Sequence, residues 1–170
     1  MNITNLLRID VELSGKIRNA SYSSFTRQVM SILSHSADSW YWGIGLAVLW
    51  LIGPRGWRGD IQLLFIGIFL TALFVQGLKF IIKRPRPEGE WGQIYRSSDP
   101  HSFPSGHAAR AIMLTTIMLL SGYAWIGAGM LIWAILVDLS RVGLGVHYYS
   151  DILAGTGIGV LMGVLVQLVF

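Results

Sequence analysis

Cysteine and charge are both scarce in this sequence. No cysteine occurs in the 170 residues, which excludes disulfide bonds and thiol chemistry and leaves the redox compartment open. Only 13% of the residues are charged, whereas a soluble domain carries about 25%. Hydrophobic residues make up 53% of the chain, and its mean hydropathy is +0.56. The composition therefore indicates a protein whose main solvent is lipid, and the length allows one domain.

An excess of basic residues accompanies this apolar composition. The chain has 13 Lys and Arg against 9 Asp and Glu, and its sequence pI is about 9.7. Such a balance usually indicates an acidic partner, either nucleic acid or anionic lipid. Because the basic residues cluster at the ends of apolar segments, the pattern favours phosphate and lipid headgroups, and we expect no nucleic-acid partner.

Five apolar segments are candidate membrane spans. About 20 apolar residues are needed to cross the hydrocarbon core of a bilayer. Segments 61–82, 106–121, 125–139 and 152–170 fit this pattern, although two are short, and segment 36–52 is a weaker fifth that opens with interfacial aromatic residues. We therefore predict an all-α fold, a polytopic transmembrane helical bundle of about five spans, in a single membrane-embedded domain.

The N-terminal segment, residues 1–35, carries too many charges to be a span. Four of its apolar side chains share one helical face, which predicts an amphipathic helix at the membrane surface; a partly disordered tail is the alternative. These four are Phe25, Val29, Ile32 and Leu33. No uninterrupted apolar stretch typical of a secretory signal peptide occurs there.

Residues 84–103 form a long loop that contains Pro85, Pro87 and Pro100, ends just before Pro104 and shows no periodicity. Loops of this length inside a compact protein are usually functional or disordered. Because this loop follows the basic end of segment 61–82, we predict that it belongs to the active site of the bundle formed by residues 36–170.

Three glycines, Gly155, Gly159 and Gly163, are spaced four residues apart in the last apolar segment. This spacing gives a helix one face without side chains, on which another helix can pack closely. Packing against a helix of the same subunit is the simpler interpretation, and a dimer interface is the alternative. The sequence therefore permits an oligomer but does not indicate one.

The order of the spans brings three polar segments to one side of the membrane. These segments contain Lys79, Arg86, Ser105, Gly106, His107, Arg141, His147 and Asp151. Any single basic residue at the end of a span could be an ordinary interfacial anchor. Three converging segments that include two histidines instead indicate a functional site.

Most residue types in this set suit binding of a phosphate group. Chemistry on phosphate needs cations for the equatorial oxygens, an in-line nucleophile and an acid for the leaving oxygen. Lys79, Arg86 and Arg141 can supply the positive charge, and arginine offers forked hydrogen bonds. Ser105 and the Gly106 amide lie at a helix N-terminus, where anions bind readily.

The two histidines supply the remaining groups that the reaction needs. His147 and Asp151 are four residues apart, so the carboxylate can hold one imidazole nitrogen and leave the other for nucleophilic attack. His107, in another segment, remains for the role of general acid. No compact cluster of His, Asp and Glu then remains for a metal, and we expect neither a metal nor another cofactor.

The same residues resemble the three signature blocks of the type 2 phosphatidic acid phosphatase family. In this sequence the blocks read Lys79, six residues, Arg86-Pro87; then Pro104-Ser105-Gly106-His107; then Ser140-Arg141, five residues, His147, three residues, Asp151. The resemblance implies a metal-independent membrane lipid phosphatase that acts through a phosphohistidine on His147, with His107 as the acid. It also implies that Lys79, Arg86, Ser105, Gly106, His107 and Arg141 surround the phosphate.

The resemblance leaves the substrate and two other functions open. Phosphatidylglycerol phosphate, phosphatidate and polyprenyl diphosphates are all compatible with the family, whose commonest membrane form has six spans; here the charged N-terminal segment replaces the first. A vanadate-dependent haloperoxidase is one alternative, which the apolar spans disfavour. A non-catalytic lipid-phosphate binding or transport protein is the other, which the two histidines and Asp151 disfavour.

The distribution of basic residues also suggests an orientation in the membrane. Arg55 and Arg58 lie on the face opposite the predicted site, and the positive-inside rule makes that face cytoplasmic. The Lys and Arg of the site itself are discounted because catalysis requires them. We therefore expect an integral protein of a bacterial or archaeal cell membrane, with its active site facing outward.

Two further charges lie within the spans that enclose the site. Arg110 lies one turn into the third span, and Asp138 lies about one turn before the end of the fourth. An unpaired charge at that depth would cost several kcal/mol. We hypothesise that the two face each other or share a polar network beneath the phosphate, and that Arg110 could alternatively reach the phosphate itself.

Overall fold

The computed structural model describes residues 3–19, 22–88 and 99–170, so the middle of the predicted loop 84–103 lies outside the described residues. Within these ranges the regular structure is helical, apart from one isolated β-bridge between Pro85 and His101. The helices are α1 (Ile3–Arg18), α2 (Ser24–Ser36), α3 (Ser39–Ile52), α4 (Arg58–Ile82), α5 (Gly106–Leu120), α6 (Ala124–Gly143) and α7 (Tyr149–Val169), with a 3₁₀ turn at Arg55–Trp57. The all-α prediction is confirmed.

The helices α3 to α7 correspond to the five predicted spans. Three of them, α4, α6 and α7, are long and apolar enough to cross a membrane. The other two, α3 and α5, have only 14 and 15 residues, which at about 1.5 Å per residue is shorter than a hydrocarbon core of about 30 Å. Helix α6 extends beyond the predicted end at residue 139, because Ser140 and Arg141 are buried against protein rather than exposed to lipid.

Helix α5 lies at the centre of the bundle, packed against α4, α6 and α7. Its side chains Met113, Leu114 and Ile117 are fully buried and join the main hydrophobic core. Helix α7 approaches α5 on its glycine face, where a Cβ atom added to Gly155 would lie 2.5 Å from the carbonyl oxygen of Ser105. The glycine face therefore packs inside the subunit.

The N-terminal segment forms two helices instead of the single amphipathic helix predicted. The chain breaks between α1 and α2 because Ser23 caps the start of α2, where its side chain accepts a hydrogen bond from the Thr26 amide at 3.1 Å. The apolar face of α2 remains exposed, with Phe25 and Ile32 about 70% accessible (72% and 70%). Helix α1 packs against α6 and α7, so it adjoins the helices that carry the predicted site.

Candidate active site

Three buried cations lie at one end of the bundle. Lys79 comes from the last turn of α4, Arg86 follows that helix, and Arg141 comes from the last turn of α6; each is at most 3% exposed. Burying charges at such close range is costly unless anions or hydrogen-bond acceptors compensate them. The arrangement therefore provides a binding site for an anion.

An internal carboxylate contacts two of these cations. Asp99 accepts hydrogen bonds from Lys79 and, at 2.8 Å, from Nη2 of Arg86. The Asp99 carbonyl oxygen also accepts from Nε of Arg86 at 2.7 Å. Carboxylate and phosphate oxygens use the same lysine and arginine donors, so Asp99 shows that these side chains can converge on one anion.

The N-terminus of α5 borders this cluster. Ser105 is the N-cap residue, and its hydroxyl accepts from the Ala108 amide at 3.4 Å. Its own amide donates to the carbonyl oxygen of Asp151 at 3.0 Å, which joins the start of α5 to the start of α7. The backbone N–H groups at a helix N-terminus favour anions, as expected for Ser105 and Gly106 in the sequence.

His147 lies just before α7 and is 1% exposed. Its Nε2 atom is 3.4 Å from Nη1 of Arg86, and its Nδ1 atom is 3.4 Å from Oδ2 of Asp151. Burial and the positive charges of Arg141, Arg86 and Lys79 hold the pKa of His147 well below its usual value. These influences favour the neutral imidazole, which is the form that can act as a nucleophile.

Asp151 is fully buried, and its carboxylate is held by several hydrogen bonds. Its Oδ2 atom accepts from the Tyr148 amide at 2.9 Å, and Oδ1 accepts from Nη1 of Arg84 at 2.7 Å. These contacts hold the carboxylate in place. One of them caps the N-terminus of α7, so this cap also determines the distance between Asp151 and His147. The predicted proximity of His147 and Asp151 is present, although 3.4 Å is longer than a usual hydrogen bond.

Arg84 links the site to the N-terminal helix. Its Nη2 atom donates to Asp10 of α1 at 2.7 Å, while Nη1 contacts Asp151. Asp10 also accepts from the amide and the hydroxyl of Ser150, at 2.9 and 2.6 Å. Sequence analysis did not predict this link, because Asp10 lies 74 residues before Arg84 and neither residue has a distinctive spacing.

His107 occupies the first turn of α5 with an unexpected partner. Its Nε2 atom lies 2.6 Å from Oδ1 of Asp38, in the turn between α2 and α3. The other oxygen of Asp38 lies 3.0 Å from Nδ1 of His35. Sequence analysis missed both Asp38 and His35, which lie outside the three signature blocks.

The predicted contact between Arg110 and Asp138 is not formed. Arg110 donates to the carbonyl oxygen of Ala37, and Asp138 accepts from the Thr156 hydroxyl at 3.4 Å. The turn before α3 and the neighbouring helix α7 supply nearer partners for the two side chains. A direct ion pair between the two side chains is therefore wrong, whereas a shared polar network and a contact of Arg110 with the phosphate stay predictions.

The fold and the matched residues together identify the family of this chain. The model of the PAP2 superfamily matches residues 61–170, well over half of the chain. This chain therefore belongs to the PAP2 superfamily, as its resemblance to the type 2 phosphatidic acid phosphatases indicated.

Relatives with assigned activities are lipid phosphatases. Phosphatidylglycerophosphatase B of Bacillus subtilis is 34% identical over 125 residues, which cover 66% of this chain and 58% of that protein. Undecaprenyl-diphosphatase of Sulfolobus acidocaldarius is 28% identical over 148 residues, covering 85% of this chain and 70% of that protein. The chain thus spans a little over half the length of the first relative and more of the second.

A solved structure shows the same fold. The transmembrane PAP2-type phosphatidylglycerolphosphate phosphatase from Bacillus subtilis superposes with a TM-score of 0.79 and 24% identity, over 96% of this chain and 85% of that one. The likeness extends over nearly the whole chain, and therefore beyond the residues that the family model matches.

Proposed function

We propose that this chain hydrolyses a phosphate monoester or diphosphate of a membrane lipid through a phosphohistidine on His147. In the first step the neutral His147 imidazole attacks phosphorus, the bond to the leaving oxygen breaks, and His107 gives that oxygen a proton. In the second step water attacks phosphorus, His107 takes a proton from the water, and the phosphorus–nitrogen bond breaks. Inorganic phosphate leaves, and both histidines return to their starting forms.

One observation carries this proposal: a buried histidine lies beside three buried cations and a helix N-terminus. Lys79, Arg86 and Arg141 would meet the charge that the equatorial phosphate oxygens carry in the transition state. Asp151 would stabilise the charge that His147 gains on attack. The internal carboxylate of Asp99 supports the assignment, because it already accepts hydrogen bonds from two of these cations.

Two adjoining cavities support a lipid as the substrate. A cavity of about 300 Å³ opens beside His147 and is lined by polar and apolar groups, including Arg18 and Ser14 of α1. A more open groove of about 660 Å³ is lined by apolar side chains such as Leu7, Ile82 and Phe103. Val11 and Tyr148 line both. A phosphorylated headgroup fits the first environment, and a hydrocarbon chain fits the second.

A phosphate-release assay on the detergent-solubilised protein tests the reaction. The panel contains phosphatidylglycerol phosphate, phosphatidate and a polyprenyl diphosphate. His147→Ala should abolish release from every lipid, and trapping with labelled substrate should place the phosphoryl group on His147 in the parent alone. The control is Asp60→Asn, because Asp60 is hydrogen-bonded to Tyr123 at the opposite end of the bundle. Turnover by His147→Ala within tenfold of the parent would exclude this residue as the nucleophile.

The active site is further proposed to face away from the cytoplasm of a bacterium or archaeon, within one domain that includes α1 and α2. Contacts of Asp10 and Ser14 with the start of α7 support the single domain. Because the natural chain has no cysteine, single cysteines report the two faces. A membrane-impermeant maleimide added to intact cells should label Glu88→Cys but not Gly56→Cys. The reverse labelling would overturn the orientation.

A further inference from the structure

The turn between α2 and α3 delivers a carboxylate to the proposed general acid. Asp38 lies 2.6 Å from Nε2 of His107 through one oxygen and 3.0 Å from Nδ1 of His35 through the other. The turn lies outside the part of the chain that the family model matches. It is also 69 residues away from His107 in sequence.

This turn is held in place by residues from several helices. Arg110 donates to the Ala37 carbonyl oxygen, and Arg141 donates to the Ser34 hydroxyl at 2.6 Å. The indole nitrogens of Trp42 and Trp133 donate to the carbonyl and the hydroxyl of Ser36, at 3.1 and 2.9 Å. Ala37 is fully buried. The backbone that carries Asp38 is therefore fixed relative to α5 and α6.

The charges around His107 explain why a carboxylate is needed there. Arg110 lies on the same helix and Arg141 on α6, and both act on the imidazole. These positive charges disfavour the imidazolium form, yet a general acid must hold a proton to give. Asp38, with His35 behind it, is the carboxylate that faces His107 in the described structure.

Asp38 itself remains ionised. Burial raises the pKa of Asp38, but the hydrogen bonds with His107 and His35 outweigh burial and hold that pKa at about 2. The carboxylate also makes no capping hydrogen bond to the start of α3, so its oxygens are engaged with the two histidines. A full negative charge therefore lies against His107 at neutral pH.

We propose that Asp38 is a positioning residue for the general acid: it holds Nε2 of His107 and stabilises the imidazolium, which leaves Nδ1 to give the proton to the leaving oxygen. The inference rests on the proposed function, in which His107 acts as the acid. Asp38 keeps its negative charge throughout, and the proton moves from His107 alone. The carboxylate thereby opposes the positive charges of Arg110 and Arg141 beside the proposed acid.

Asp38→Asn is the variant that tests this role. Asparagine has the same shape, can still accept a hydrogen bond from His107 and is as good an N-cap residue as aspartate, so the change removes charge without removing structure. With a lipid phosphate, the leaving alkoxide needs a proton, so kcat should fall at least about tenfold. This loss is smaller than the 10²–10⁴-fold contribution of a general acid, because His107 itself is still present. With an aryl phosphate whose leaving group needs no proton, the rate should stay near that of the parent.

The pH profile gives a second, independent measurement on the lipid substrate. Without the carboxylate the imidazolium loses its proton more easily, so the alkaline limb of kcat should move to lower pH in Asp38→Asn. Asp38→Glu, which keeps the charge, should restore the position of that limb. Asp60→Asn is the matched control, since Asp60 is bonded to Tyr123 at the opposite end of the bundle.

The outcomes separate the two proposals. In a His107→Asn background, Asp38→Asn should cause no further loss, because the residue it acts through is absent. The parent could be active while the Asp38→Asn variant loses activity equally on the lipid and the aryl phosphate, with no shift in the alkaline limb of its pH profile. That result would overturn the positioning role but not the proposed function. A parent that releases no phosphate from any lipid in the panel would overturn the proposed function together with this inference.

Discussion

Replacing Gly155 by alanine tests whether the close packing of α5 and α7 sets the geometry of the active site. Gly155 lies one turn after Asp151, and its absent side chain faces the N-terminus of α5. An added Cβ atom would lie 2.5 Å from the Ser105 carbonyl oxygen and 2.9 Å from Cβ of Ala108. Because real Cβ contacts are essentially never shorter than 3.0 Å, the two helices must separate by about 0.5 Å.

The size of the effect follows from this displacement. Overpacking of a close contact costs about 1–3 kcal/mol, which corresponds to roughly 2–12 °C in Tm for a chain of this length. A displacement of about 1 Å at a catalytic site can reduce the rate by about a hundredfold, so half that displacement should reduce kcat on the order of tenfold. Ser105 and Asp151 move apart directly, since they lie on the two helices that separate.

Gly157 provides the matched control on the same helix. It is exposed, and a Cβ atom there would meet nothing within 4 Å. Both substitutions gain the same helix propensity from alanine, about 0.5–1 kcal/mol, so the gain cancels in the comparison. Thermal unfolding in detergent and initial rates of phosphate release would be measured for both variants. Equal Tm and kcat for Gly155→Ala and Gly157→Ala would refute the reasoning.

Further outcomes follow from the site. Asp151→Asn should reduce turnover less than His147→Ala, because the imidazole remains; single-turnover rates of the two variants would show the order, and the reverse order would contradict it. Chelators should leave phosphate release unchanged and vanadate should inhibit it, because side-chain cations balance the charge of the phosphate. A loss of activity in EDTA that Mg²⁺ restores would refute this expectation. The profile of kcat/KM against pH should be bell-shaped, and its acid limb should lie below the ordinary histidine value of 6.5, since the pKa of His147 is lowered; a flat profile from pH 5 to 9 would contradict the scheme. Arg84→Gln should lower kcat more than it raises KM, because Asp151 loses a partner outside the phosphate site; an effect on KM alone would argue against this role.

The residues of the signature blocks could be placed from the sequence because local rules fix them. The side of the membrane on which Lys79, His107 and His147 lie follows from three local features. These are the ends of the spans, the prolines just before α5 and the four-residue spacing of His147 and Asp151 at the start of α7. The structure brings these segments to one end of the bundle, as expected. Their catalytic roles stay predictions until the variants are assayed.

The partners of these residues could not be predicted, because they depend on contacts between distant segments. Asp38 meets His107 across 69 residues, and Asp10 meets Arg84 across 74. The misplaced pair of Arg110 and Asp138 shows the same limit. Arg110 and Asp138 lie at equal depth in two neighbouring helices, so the sequence indicated that each buried charge needs a partner. It did not indicate that a backbone carbonyl and a threonine would be those partners.

The contact of Arg84 with two carboxylates connects the proposed nucleophile to the N-terminal helix. One guanidinium joins Asp10 on the amphipathic helix α1 to Asp151 beside His147. Lifting α1 away from the bundle would leave Arg84 with its partners on α7, Asp151 and Ser150, and would release the start of α7 from Asp10. The position of α1 and the orientation of the carboxylate beside His147 are therefore mechanically connected, so any force that displaces α1 acts on the same linkage as the proposed chemistry.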